Sequence, residues 1–135
     1  MISDDKKRRA VRSGARWEPQ VGYSRAVRAG GFIAVSGSAS VGPDGELVGE
    51  GDAYRQAQRC IEVIRDALEQ AGAGLEHVVR TRIFVTDIDQ WAEIARAHRE
   101  AFADVMPATS MVEVTRLIDP RMLVEIEADA IIDAD

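Results

Sequence analysis

Four carboxylates at alternating, strand-like positions within one short stretch raise the first chemical question. Glu113, Glu125, Glu127 and Asp129 lie between Pro107 and Ile132, in PATSMVEVTRLIDPRMLVEIEADAII. Val124, Ile126, Ala128 and Ala130 alternate with Glu125, Glu127 and Asp129, the period-2 pattern of a strand with one buried face. Val112-Glu113-Val114 repeats it in shorter form, and Ile118-Asp119-Pro120-Arg121 between them reads as a turn, because proline fixes φ and cannot continue a ladder. The pattern predicts a hairpin that gathers the four acids. Like charges opposite one another in a sheet are unfavourable, so such a cluster calls for solvent, a cation or a chemical task.

Other reactive side chains are few. His98 falls inside the apolar stripe Trp91, Ile94, Ala95, His98, Phe102 and Val105, where it reads as a packed imidazole or as a general acid or base. Cys60 borders a second stripe and reads as a small buried hydrophobe rather than a nucleophile. Arg82, in mid-strand, suits an ion pair with the acids or a counter-charge for a ligand, whereas Arg116 and Arg121 flank the turn and read as exposed. With one cysteine, and His77 and His98 on different elements, no metal site is expected. No phosphate-binding glycine loop, dinucleotide fingerprint, nucleophile elbow or zinc spacing is present.

The composition narrows the class. At 135 residues, 46% hydrophobic and 30% charged, the chain reads as one globular domain over 17–135 behind a flexible N-terminal segment, 1–16. A net charge of −6 argues against a nucleic-acid partner, which needs a basic footprint. The only basic run, Lys6 to Arg9, reads as a solubilising tail. No apolar run approaches the roughly 20 residues of a membrane span. The first residues lack the apolar core of a secretory signal, so no membrane association and a cytoplasmic location are expected.

The positioning elements follow from periodicity. Tyr23 to Arg28 and Phe32 to Ser36 are strand-forming runs around Ala29-Gly30-Gly31, a tight-hairpin signal. Ser36-Gly37-Ser38-Ala39-Ser40 is a run of small residues that lets a backbone or ligand come close, and Gly42-Pro43-Asp44-Gly45 is a turn. Asp52 caps a helix to about Ala71, with Ala57, Ile61, Ile64, Leu68 and Ala71 as its stripe and Gly72 as its stop. His77 to Thr86 is a strand with Arg80, Arg82 and Phe84 on one face and Val79, Thr81, Ile83 and Val85 on the other. A second helix capped by Asp87 or Asp89 reaches to about Val105, and Pro107 ends it. The order β-β-(short β)-α-β-α-β-β gives an α+β fold, one mixed sheet with both helices on a single face. The other face then calls for a cover, which points to oligomerisation.

Several strings in this order resemble the Rid/YjgF family, also described as L-PSP endoribonuclease-like proteins. They are Gly22-Tyr23-Ser24-Arg25-Ala26-Val27, Val35-Ser36-Gly37, Ala71-Gly72-Ala73 with Val78-Val79-Arg80-Thr81, Phe84-Val85-Thr86-Asp87, Pro107-Ala108-Thr109-Ser110 and Val124-Glu125-Ile126-Glu127-Ala128. The resemblance implies a chorismate-mutase-like fold, a homotrimer around a central barrel, and small-molecule clefts between subunits. It further implies hydrolysis of imino or enamino acids to keto acids and ammonia, with no metal or organic cofactor.

Residue by residue, the resemblance assigns Glu125 to orienting the attacking water. Tyr23, Ser36, Gly37, Thr109, Ser110 and Met111 are then expected to shape the pocket, and Arg82, where a small residue is common in the family, is a candidate substitute cation. The chain departs from the family's Pro-Ala-Arg-Ser pattern, because Thr109 stands in place of the arginine. A hydroxyl offers one hydrogen bond but neither charge nor fork. Gly22 where proline is frequent, and Ala95 where asparagine is frequent, are lesser departures. Ribonuclease or translation-inhibitor activity, from the older description, is a third reading that the acidic balance disfavours. A non-catalytic binding trimer is the main alternative.

Overall fold

Two elements at the start of the chain were not visible in the periodicity. In the computed structural model, which describes residues 7–133, the order is β1 (Arg8–Val11), α1 (Trp17–Val21), β2 (Ala26–Ala29), β3 (Phe32–Ser38), α2 (Ala53–Gln70), β4 (Val78–Val85), α3 (Trp91–Phe102), β5 (Ala108–Glu113) and β6 (Val124–Ile131). The segment expected to be irregular over 1–16 thus carries an edge strand, with Arg8 to Val11 paired antiparallel to β2. Three of its four residues are exposed, which leaves no alternation to read. Lys6 and the residues before it lie outside the described residues.

Strands form one sheet in the order β1-β2-β3-β6-β4-β5. This corrects the expected hairpin of β5 with β6. β4, α3 and β5 make a β-α-β crossover, so β5 lies parallel to β4, and β6 runs antiparallel between β3 and β4. The turn at Asp119–Met122 is real, with Met122 N donating to Asp119 O at 2.9 Å, but it carries the chain past β4 rather than back onto β5. Glu113 is consequently separated from the other three acids. It lies beside Val85, and its Oε1 accepts from Ile88 N at 3.0 Å.

Both long helices bury their stripes against the same sheet face. Ala57, Cys60, Ile61, Ile64 and Leu68 of α2 join Ile94, Ala97 and Phe102 of α3 and the inward Ile33, Val35, Ile83, Val85, Val124, Ile126 and Ala128 in a single cluster. Each fully buried aliphatic side chain of this kind is worth about 1.5–3 kcal/mol. The Asp52 cap is present, its side chain accepting from Arg55 N at 3.0 Å. Beyond α2, Gly72 takes a left-handed φ of 87°. Arg9 and Arg28 both donate to the preceding carbonyl, Ala71 O, at 3.0 and 2.7 Å, which ties β1 and β2 to the helix end.

Details depart from strict periodicity where the sheet bulges. Val79, expected inside, is 45% exposed, because the β4–β6 register shifts between Val78 and Arg80. Trp91 is 57% exposed although it continues the α3 stripe, since it stands at the first helical position. Asp87 rather than Asp89 caps, but it caps a 3-10 turn over Ile88–Gln90 that leads into α3. The Gly30-Gly31 hairpin and the Gly42 to Gly45 turn form as expected, with Gly45 N donating to Gly42 O at 2.9 Å.

Candidate functional site

Glu125 projects from β6, between the buried Val124 and Ile126, onto the sheet face away from the helices. What approaches the small-residue run of β3 is this side chain. Ser36 and Gly37 form a bulge opposite β6, and a Cβ on Gly37 would overlap the Glu125 carboxylate. Glycine is thus required here for close approach. Burial pushes the Glu125 carboxyl above the usual glutamate range; Arg25 opposes the shift and Glu127 adds to it.

Tyr23 and Ser36 border one cavity of about 430 Å³, together with Arg8, Ser24, Glu127 and Asp129. Ser36 Oγ donates to Ser24 O at 2.6 Å, and Ser36 N donates to Arg25 O at 2.9 Å, so β3 holds the Tyr23 loop in place. Tyr23 and Ser24 also border a second cavity of about 510 Å³ on the α1 side. Arg25 escaped the sequence reading. It is 6% exposed, its guanidinium lies 5.5 Å from the centre of the Tyr23 ring, and among the described residues its Nε has no hydrogen-bond partner. An arginine two residues after Tyr23, just before a strand, was the available signal.

Arg82 donates through Nη1 to Glu127 Oε1 at 3.1 Å and to Asp129 Oδ2 at 3.3 Å. These two acids therefore have a cation, which relieves the like-charge crowding. With 43% of the Arg82 side chain exposed, each such pair is worth at most about 1 kcal/mol.

The pocket residues of β5 stand apart. β4 separates β5 from β6, so Thr109, Ser110 and Met111 lie on the opposite edge from Tyr23, roughly three strand spacings or about 14 Å from β3. Register pairs Thr109 with Thr81, Ser110 with Arg82 and Met111 with Ile83, so Thr109 and Met111 turn toward the helices and Ser110 toward the open face. Thr109 Oγ1 lies 2.8 Å from Thr81 Oγ1 and donates to Pro107 O at 3.2 Å. Thr81 Oγ1 in turn lies 2.9 Å from His98 Nε2, and the His98 ring packs 4.6 Å from Phe102. Burial alone holds His98 below the usual histidine pKa. One chain therefore sets Tyr23 and Ser36 on one cavity, places Glu125 against the adjoining Gly37 outside that cavity's lining, and leaves Thr109, Ser110 and Met111 elsewhere.

Cys60 is wholly buried, Sγ 3.6 Å from Val124 O, and burial raises its thiol pKa far out of the reactive range. Among the described residues, no three His, Cys, Asp or Glu side chains are grouped to hold a metal ion. No helix of the described residues is long and apolar enough to cross a membrane.

Relatives share this architecture. A RutC family protein of Pyrococcus abyssi is 40% identical over 110 residues, 80% of this chain and 84% of its own length. The Mycobacterium tuberculosis protein Rv2704, of the YjgF/YER057c/UK114 family, superimposes with a TM-score of 0.85 at 49% identity, over 93% of this chain and 99% of that one. Escherichia coli TdcF, solved with bound serine, gives 0.76 at 28% identity, over 82% and 88%. The family model described as endoribonuclease L-PSP matches residues 13–132, and the chain therefore belongs to that family, the Rid/YjgF proteins.

Proposed function

We infer that the protein binds a small metabolite in clefts completed between subunits of a homotrimer, and hydrolyses an imine or enamine intermediate there. The observation that carries this reading is Glu125, half-buried against Gly37 with burial holding its carboxyl above the usual glutamate range. A base poised nearer the working pH takes a proton from water more productively. In this reading Glu125 deprotonates a water as its oxygen adds to the C=N carbon. Glu125 returns that proton to the nitrogen, and the hydroxyl proton of the amino-alcohol adduct then follows it as the C–N bond breaks, so ammonia leaves and a carbonyl remains. An imine is already electrophilic, so placing the water supplies most of the help.

Tyr23, Ser36 and Gly37 shape the Glu125 side of the cleft in this reading, and Thr109, Ser110 and Met111 of a neighbouring subunit shape the other. Two findings support assembly. The two halves are separated within one chain, and the open sheet face leaves Phe32, Val112 and Ile131 at 44%, 47% and 52% exposure. The serine bound by TdcF supports a cleft sized for a small polar metabolite.

Thr109 favours a second reading, a binding trimer without catalysis, because its hydroxyl brings no charge. Losing a charge-assisted fork, worth about 1.5–3 kcal/mol, weakens carboxylate binding roughly tenfold to a hundredfold. The test compares wild type with Thr109→Arg on 2-iminopropanoate generated in situ. Hydrolysis by the variant alone supports a competent scaffold with a different natural substrate, and hydrolysis by neither supports the binding-only reading. Sizing in solution is the companion measurement: a clean monomer of 14.8 kDa removes the inter-subunit cleft.

A further inference from the structure

Thr109 stands at the end of a line of polar atoms that crosses three elements. His98 Nε2 on α3 lies 2.9 Å from Thr81 Oγ1 on β4, which lies 2.8 Å from Thr109 Oγ1 on β5, which lies 3.2 Å from the Pro107 carbonyl oxygen. Each hydroxyl carries one proton, and a carbonyl oxygen only accepts. All three contacts are hydrogen bonds in one direction alone: His98 Nε2–H donates to Thr81, Thr81 donates to Thr109, and Thr109 donates to Pro107. Reversed, Thr109 gives its proton to Thr81 and faces the Pro107 oxygen with none between them. Reversed, Thr81 still makes both of its bonds, so the contact of the exposed Thr109 with Pro107 O is what sets the direction, and the His98 tautomer reports it.

We propose that His98 and Thr81 are positioning residues that hold the Thr109 hydroxyl as a hydrogen-bond donor, so that the cleft receives an acceptor oxygen of its ligand, a carboxylate or carbonyl, at this point. The proposal rests on Thr109 lining a ligand site. A length of 3.2 Å is long for a hydroxyl donating to oxygen, so a ligand oxygen at the usual 2.7–2.8 Å displaces Pro107 at small cost. Successive donors in a buried chain also polarise one another, which makes Thr109 a better donor than an isolated threonine. No charged side chain contributes to the burial-driven depression of the His98 pKa, so at neutral pH the ring acts through a tautomer rather than a charge. The device fits a site that has exchanged a cation for an oriented neutral dipole.

Two measurements on the intact protein test this. Long-range proton–nitrogen correlation spectra of protein labelled with nitrogen-15 histidine, with His98 assigned through His98→Gln, are expected at pH 8 to show the Nε2–H tautomer. The Nδ1–H tautomer overturns the relay whatever the ligand. Pyruvate, a small 2-keto acid, is the binding probe for calorimetry. Thr81→Val is expected to weaken it about tenfold, the loss of one hydrogen bond, and Thr81→Ser to restore it to within about twofold. Wild-type affinity in Thr81→Val overturns the positioning role. If wild type takes up no pyruvate, the ligand-site reading fails at that point, and the tautomer still decides the relay.

Discussion

β6 and β5 carry the two halves of the candidate site and are held in opposite ways. β6 is paired on both sides, and its residues alternate buried and half-buried along most of its length. β5 is the sheet's edge, paired only with β4, and five of its six residues are exposed. Glu125 is positioned by backbone on three strands and by a glycine whose missing Cβ makes room for it. Thr109 has a ladder on one side only, and its hydroxyl meets Thr81 Oγ1, which in turn meets His98. The comparison shows one half fixed by ladders on both sides and a glycine, and the other by a single ladder with its hydroxyl held through side chains.

The largest break is Glu125→Gln, which keeps the shape and removes the base. Imine hydrolysis is expected to fall by about 10²–10⁴-fold, with the melting temperature little changed. An unaltered rate removes Glu125 from the chemistry. Gly37→Ala tests the same half through packing. The added methyl must push the carboxylate aside, costing about 1–3 kcal/mol in urea unfolding and a comparable share of activity.

pH separates the two halves by sign. The folded Glu125 pKa is raised above its ordinary 4.5, so the unfolded chain loses that proton first. Stability from this group therefore falls as pH rises from about 4.5 to the raised value, and Glu125→Gln abolishes that slope. The folded His98 pKa is lowered from 6.5, so the unfolded chain gains its proton first, and stability falls as pH drops below 6.5. Urea midpoints across pH 4 to 8 for Glu125→Gln and His98→Gln check both signs. The smallest effect is Arg82→Met, expected to cost less than about 1 kcal/mol because its ion pairs are half-exposed. A larger loss in a double-mutant cycle with Glu127→Gln would show that Arg82 supports the Glu125 half more than its exposure indicates.

Much of the fold was legible. The stripes of α2 and α3, the Asp52 cap, the Gly30-Gly31 turn and the alternation of β6 all follow from local spacing. Pairing did not, because a period-2 pattern specifies a buried face and not a neighbour; β5 went to β4 through its helix crossover. β1 offered no pattern, since its side chains are mostly solvated. In the candidate site, Glu125, Tyr23 and Ser36-Gly37 were assigned by resemblance rather than by spacing. The contact of Gly37 with Glu125 depends on a bulge, and the line from His98 through Thr81 to Thr109 joins residues from three elements. Neither is written in any one stretch.

The strand order has a consequence for how the chain is made. β6, the last of the six strands among the described residues, lies between two sets that share no ladder without it, β1-β2-β3 and β4-β5. A nascent chain thus holds two unfinished sheets, each with a bare inner edge, until the final segment inserts between them. Such pairing is non-local and slow, and bare edges invite pairing with other chains. Cutting the chain before Val124 would therefore leave two half-sheets prone to aggregate, not a shorter version of the same domain.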